Sequence, residues 1–163
     1  MAHSRQTPII VGVGDFVNRS RKIENALEPL ELISRAIRLA IEDTGLSESA
    51  AKTLQADIDS LEIVRSWTWP YPDLPSLVAK KLNIKPTRRY YSEHGGNSPG
   101  KLFDGAARRI SLGETKVALL GGGEALASCT MLNEDSISPA PSNCRQWPPV
   151  RQQRNFHLLV GRS

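Results

Sequence analysis

The sequence predicts an α/β fold: a mostly parallel sheet flanked by helices, in the order β-α-β-α-β-α-β, followed by an irregular C-terminal tail. Up to Leu126, short apolar runs alternate with amphipathic segments, the pattern of strands joined by helical crossovers. Two of the amphipathic segments open on helix-start residues, Asp73 and Ser98, and two close on glycine, Gly45 and Gly113. After Ser128 this pattern stops, and the remainder holds four of the eleven prolines.

Taken in order, Pro8-Ile9-Ile10-Val11-Gly12-Val13 is a continuous apolar run of strand length. Glu28 to Thr44 places Leu30, Ile33, Ile37, Ala40 and Ile41 on one helical face, with Glu31, Arg35, Arg38 and Glu42 elsewhere, and Gly45 as the stop. A second strand fits Ile58 to Val64. A short helix fits Leu74 to Leu82, opened by Asp73 and Pro75-Ser76. A third strand fits Thr87 to Ser92. The next helix starts at Ser98 as its N-cap, with Pro99 at the first helical position. It carries an apolar stripe of Leu102, Phe103, Ala106, Ala107 and Ile110, and Gly113 closes it. Lys116 to Leu120 gives a fourth strand. The segment 128–163 is rich in Ser, Pro, Asn and Gln and shows no period before Phe156-His157-Leu158-Leu159-Val160. It reads as a disordered tail on a domain of residues 1–127.

Composition excludes several classes. At 163 residues, 39% apolar and 23% charged, the chain is long enough for one globular core. No run approaches the roughly 18–20 apolar residues of a membrane helix, so no membrane partner is expected. Met1 to Gln6 and Gly161 to Ser163 lead us to expect neither a secretory leader nor a Ser-Lys-Leu address, and the expected location is the cytoplasm. The two cysteines, Cys129 and Cys144, lack histidines at ligand spacing, so no metal site is expected. Half of the net charge of +4 lies beyond Ser128, and Arg88-Arg89 and Arg108-Arg109 are isolated pairs. Nucleic acid is therefore not an expected partner.

The densest chemical signal is Glu93-His94-Gly95-Gly96-Asn97-Ser98-Pro99-Gly100, at a strand-to-helix turn. Backbone N–H groups at a helix start favour anions. Gly96 to Gly100 also fits G-x-S-x-G, the elbow that presents a serine nucleophile. Pro99 weakens that reading, because the oxyanion hole uses the N–H after the serine and proline has none. The only later histidine is His157. Ser98 thus reads as a helix cap first and a nucleophile second, and His94 as a solvated turn residue or a proton relay with Glu93. Gly12-Val13-Gly14 suits a strand-end turn better than a dinucleotide loop, since Val17 holds the third glycine position. Gly121-Gly122-Gly123-Glu124 reads as a tight corner. Trp67-Thr68-Trp69-Pro70-Tyr71-Pro72 walls a pocket or faces a partner subunit.

These elements together resemble the N-terminal half of the thiolase superfamily, nearest to its sterol-carrier-protein-type and thiolase-like branch. The resemblance rests on Thr7 to Gly14, the helix from Glu28 to Gly45, and GGNSPGKLFDGAARRISLGETKVALLGGGEAL from Gly95 to Leu126. It implies a thiolase-like half-domain over residues 1–127 and acyl-transfer chemistry in lipid or secondary metabolism. The implied substrate is a coenzyme A thioester, with no bound cofactor. It also implies a homodimer paired through the strand Thr87–Ser92, and a peroxisomal location for full-length members.

Two departures limit what carries over. Family members place an acyl-accepting cysteine at the start of this helix, in Cys-x-Ser/Thr-Gly. Here that position is Gly96, followed by Asn97, Ser98 and Pro99, so no catalytic residue is assigned. The substrate-binding candidates are His94, Gly95, Gly96, Asn97 and Ser98. The His-x-x-Asn and Cys-x-Gly motifs of the family's second half are also missing. The expectation is a truncated, catalytically incompetent member, with an acyl-CoA-binding or dimerisation module as the alternative and a serine hydrolase using Ser98 as the third reading. Family half-domains have five strands, of which the sequence yields four.

Overall fold

The computed structural model describes residues 6–20, 22–67, 69–125 and 156–162. Its elements run β1 (Pro8–Asp15), a 3-10 turn (Ile23–Asn25), α1 (Pro29–Asp43), α2 (Glu48–Ala56), β2 (Ile58–Ile63), α3 (Leu74–Leu82), β3 (Arg88–Tyr91), α4 (Ser98–Ser111), β4 (Val117–Gly121) and β5 (Phe156–Arg162). The fold class is the α/β one expected. The sheet has five strands among the described residues, in the order β1-β5-β4-β2-β3.

The fifth strand corrects the count of four, and it makes the sheet mixed. β2 pairs in parallel with both β3 and β4, whereas β5 runs antiparallel to both neighbours, β1 and β4. Its residues lie in the stretch read as a disordered tail, and the apolar run Phe156 to Val160 is what inserts. Leu159 and Val160 are fully buried on opposite faces of the sheet. Cys129 and Cys144 lie outside the described residues.

One face of the sheet is covered by α1 and α3, the other by α4. Ile33, Ile37, Leu61, Ile63, Leu74, Val78, Leu119 and Leu159 fill the first side. Leu102, Ala106, Ile110, Ala118, Leu120 and Val160 fill the second. Strand alternation explains the split, since Ala118 and Leu120 point opposite to Val117 and Leu119. Phe103, expected in the α4 stripe, is 41% exposed. It falls just outside the narrow arc set by Leu102, Ala106 and Ile110 at a four-residue spacing.

α1 approaches β1 closely because two glycines let it. A Cβ on Gly12 would stand 2.1 Å from the carbonyl oxygen of Ala40, and one on Gly14 would stand 2.0 Å from that of Ala36. Gly12-Val13-Gly14, expected as a strand-end turn, instead lies within β1 and forms a helix-packing groove there. α2 escaped the sequence reading because its apolar face is small: Ala51 and Leu54, both half-buried, pack against the core and no residue of the helix is fully buried. Its start signal is Ser47, whose side chain accepts from the N–H of Ala50.

On the α4 side β2 also carries a charge. Glu62 is buried, accepts from the Ser60 hydroxyl at 3.0 Å, and pairs with Arg109 of α4. Arg88 of β3 stands 3.6 Å from the same oxygen. Among the described residues no helix is long and apolar enough to cross a membrane.

Candidate functional site

The parallel strands β2, β3 and β4 end together, and the loops beyond Ile63, Tyr91 and Gly121 form one surface. Hydrogen bonds lock these loops to each other. Val64 N–H donates to the Gly121 carbonyl at 2.7 Å, and Ser92 N–H donates to that of Ile63 at 2.9 Å. The Ser92 hydroxyl accepts from Arg65 N–H at 3.0 Å. The Glu124 carboxylate accepts from the Ser66 hydroxyl at 3.1 Å and from Trp67 N–H. Gly122 lets this corner close, because a Cβ there would lie 2.9 Å from the Cβ of Val64. The glycine run is thus the tight corner expected, and Glu124 is its anchor for the neighbouring loop. Sequence reasoning gave Glu124 no task; its Ser66 and Trp67 partners lie more than fifty residues away in the chain.

The anchored loop walls a cleft of about 430 Å³. Trp67, Trp69, Tyr71 and Tyr91 supply rings, Pro70 and Pro72 stiffen the backbone, and Arg65, Ser66 and His94 complete the lining. The sequence leaves this loop open between pocket wall and subunit contact; in the structure it lines a pocket. Tyr71 is held by its hydroxyl, which donates to Glu28 at 2.7 Å and accepts from Leu30 N–H at 3.4 Å. Burial, reinforced by Glu28, drives the Tyr71 phenol far above its ordinary value of 10.0. Burial also raises Tyr91, whose ring lies 5.0 Å from the Arg65 guanidinium carbon.

His94 is exposed, and its ring centroid is 4.5 Å from that of Trp67, tilted by 47°. It joins the cleft to the turn that precedes α4. Ser98 is not the N-cap of α4 but its first residue, after Asn97. Its hydroxyl donates to the Glu93 carbonyl at 3.0 Å, and its N–H donates to the Gly95 carbonyl at 3.0 Å. The serine is therefore buried and occupied in closing the turn. Among the described side chains no imidazole bonds to it. Asn97 makes no side-chain cap bond. Gly95 is crowded, since a Cβ there would meet Asn97 Oδ1 at 3.0 Å, while a Cβ on Gly96 would meet nothing within 4 Å. His94, Gly95, Gly96, Asn97 and Ser98 are brought together at the helix start, and only His94 reaches the cleft. Among the described residues no cluster of three or more metal-binding side chains exists.

No family model matches the sequence, and no curated protein does. Solved structures do match. An SCP2-thiolase-like protein type 1 from Mycobacterium smegmatis aligns with a TM-score of 0.66 and 20% identity, over 95% of this chain and 45% of its own. 3-Oxoacyl-(acyl carrier protein) synthase III from Xanthomonas oryzae aligns at 0.67 and 16%, over 97% and 57%. OleA from Xanthomonas campestris aligns at 0.65 and 15%, over 99% and 60%. The chain thus spans about half the length of the structures it matches. The alignments cover 95–99% of this chain. In fold, this chain matches the thiolase and condensing-enzyme superfamily.

Proposed function

We propose that the chain binds acyl thioesters of coenzyme A at the C-terminal end of its sheet, without carrying the acyl group on a cysteine. The observation behind this reading is the juxtaposition of a cleft lined by aromatic rings and by Arg65, Ser66 and His94 with the turn Gly95-Gly96-Asn97-Ser98 at the start of α4, joined through His94. A cleft that opens at the C-terminal ends of parallel strands is where α/β folds commonly take ligands. Support also comes from OleA, which shares the fold and has been crystallised with bound lauric acid and lauroyl-CoA.

The chemistry allotted to this chain is binding. At Gly96 there is space for a side chain but none to acylate. The broader assignment is an acyltransferase-type fold serving lipid or secondary metabolism, with this chain incompetent for thiolysis. Incubation with acetoacetyl-CoA and free coenzyme A is expected to give no acetyl-CoA above background, while calorimetry is expected to detect binding of an acyl-CoA. Turnover, or an absence of acyl-CoA binding, would overturn the reading.

A dimerisation role has its own observation. Among the described residues β3 is an edge strand, and Arg88, Arg89 and Tyr90 are exposed on it. An open edge offers backbone groups to a second copy. Light scattering at micromolar concentration is expected to give twice the chain mass; a monomer would remove this second reading.

A further inference from the structure

We infer that the cleft is selective for a planar aromatic acyl group over a straight saturated one, an inference that rests on the acyl-thioester reading above. The lining supplies flat faces: Trp67, Trp69, Tyr71 and Tyr91 contribute rings, and no Leu, Ile, Val or Met is among the described lining residues. A saturated chain in such a space gains buried area only. A ring gains the same area together with edge-to-face or offset stacking.

A cation adds a second preference. The Arg65 guanidinium carbon sits 5.0 Å from the centroid of Tyr91 and has no ion pair among the described residues. Arg65 lines the cleft, and the attraction of a guanidinium for a π face has no counterpart for an alkyl chain.

The walls are also fixed before any ligand arrives. Trp67 N–H is held by Glu124, Trp69 N–H by the Ser66 hydroxyl at 3.3 Å, and Tyr71 N–H by the Trp69 carbonyl at 3.1 Å. The Tyr71 hydroxyl is occupied by Glu28 at 2.7 Å. Recognition therefore falls to ring faces rather than to that phenol. Prearranged faces spare the ligand the cost of ordering them. At about 430 Å³ the cleft suits a single ring with its thioester arm rather than an extended tail.

The test is calorimetry on the full chain with phenylacetyl-CoA, octanoyl-CoA and free phenylacetate and octanoate, in which the ring and chain acyl groups have equal carbon number. Phenylacetyl-CoA is expected to bind at least about tenfold tighter than octanoyl-CoA. Trp67→Leu, at a side chain 53% exposed, is expected to fold normally and to lose most of that preference. Arg65→Met is the second variant and should reduce it by about threefold or more. If octanoyl-CoA binds as tightly or tighter, aromatic selectivity falls while the acyl-CoA reading stands. If only phenylacetate binds, and Trp67→Leu weakens it, the acyl-CoA reading falls and the aromatic cleft stands. If nothing binds, both fall.

Discussion

Arg109 on α4 donates to the carboxylate of Glu62, which lies buried on β2 between β4 and β3. The pair ties the helix that starts at the candidate site to the strand that ends there. Removing the arginine leaves a buried carboxylate with only the Ser60 hydroxyl and the more distant Arg88. Arg109→Met is expected to cost about 3 kcal/mol, read as a lower urea midpoint. Adding Glu62→Gln should recover part of that loss, because an amide carries no charge to bury. No recovery would assign the effect of Arg109 to packing.

The two kinds of glycine should respond oppositely to an added methyl group. Gly14→Ala forces a Cβ into the backbone of α1 at Ala36, and a loss of about 3 kcal/mol is expected, because a helix backbone cannot yield as a side chain does. Gly96→Ala enters open space and should change stability by about 0.5 kcal/mol or less. Thermal melts of the two variants check this; equal effects would contradict the helix-packing role of Gly14.

Tyr71 predicts an alkaline weakness. Its proton is held far more firmly in the folded state than in the unfolded chain, where it leaves near 10.0. Stability from this group is complete below that value and falls as pH rises above it, since the unfolded chain then sheds a proton the native state keeps. Denaturant melts between pH 8 and pH 11 should show Tyr71→Phe losing less stability than the native chain. At pH 7 the same variant should be about 1 kcal/mol weaker, because the bond to Glu28 is gone.

Glu31 predicts the opposite edge of the pH range. Lys81 first, and Arg35 after it, hold its carboxyl below the usual value of 4.5. The contribution is present above that value and disappears as pH falls through the lower folded one. Glu31→Gln should cost roughly 0.5–1 kcal/mol at pH 7. The difference should vanish in melts near pH 3.

What was legible in the sequence was whatever local pattern alone fixes. Asp73 accepting from Ser76, with Pro75 in the first turn, marks the start of α3, and the helix runs from Leu74 to Leu82 as expected. β2 and α1 likewise match their apolar patterns to within a residue or two. What escaped depends on partners far along the chain. Glu62 looks like an ordinary solvent-facing residue of an alternating strand until Arg109 covers it. Glu124 is a turn residue until Ser66 and Trp67 arrive. Ser98 had the right chemistry for a cap, but the turn begins one residue earlier, and its hydroxyl closes on Glu93. Of the proposed site, the aromatic loop was visible as composition; that it walls a cleft with His94 required the fold.

The position of β5 has a consequence in time. β1 is made first and β5 last, yet Pro8 pairs with Arg162, and β5 is the neighbour through which β1 joins the sheet. Until residues 156–162 have been synthesised, a growing chain carries β1 and β4 with bare flanks facing one another across a missing strand. Unpaired strand edges are templates for wrong pairing, and contacts between distant segments form slowly. The nascent chain is therefore most exposed to aggregation, and most in need of a chaperone, in the interval between making Gly121 and making Arg162.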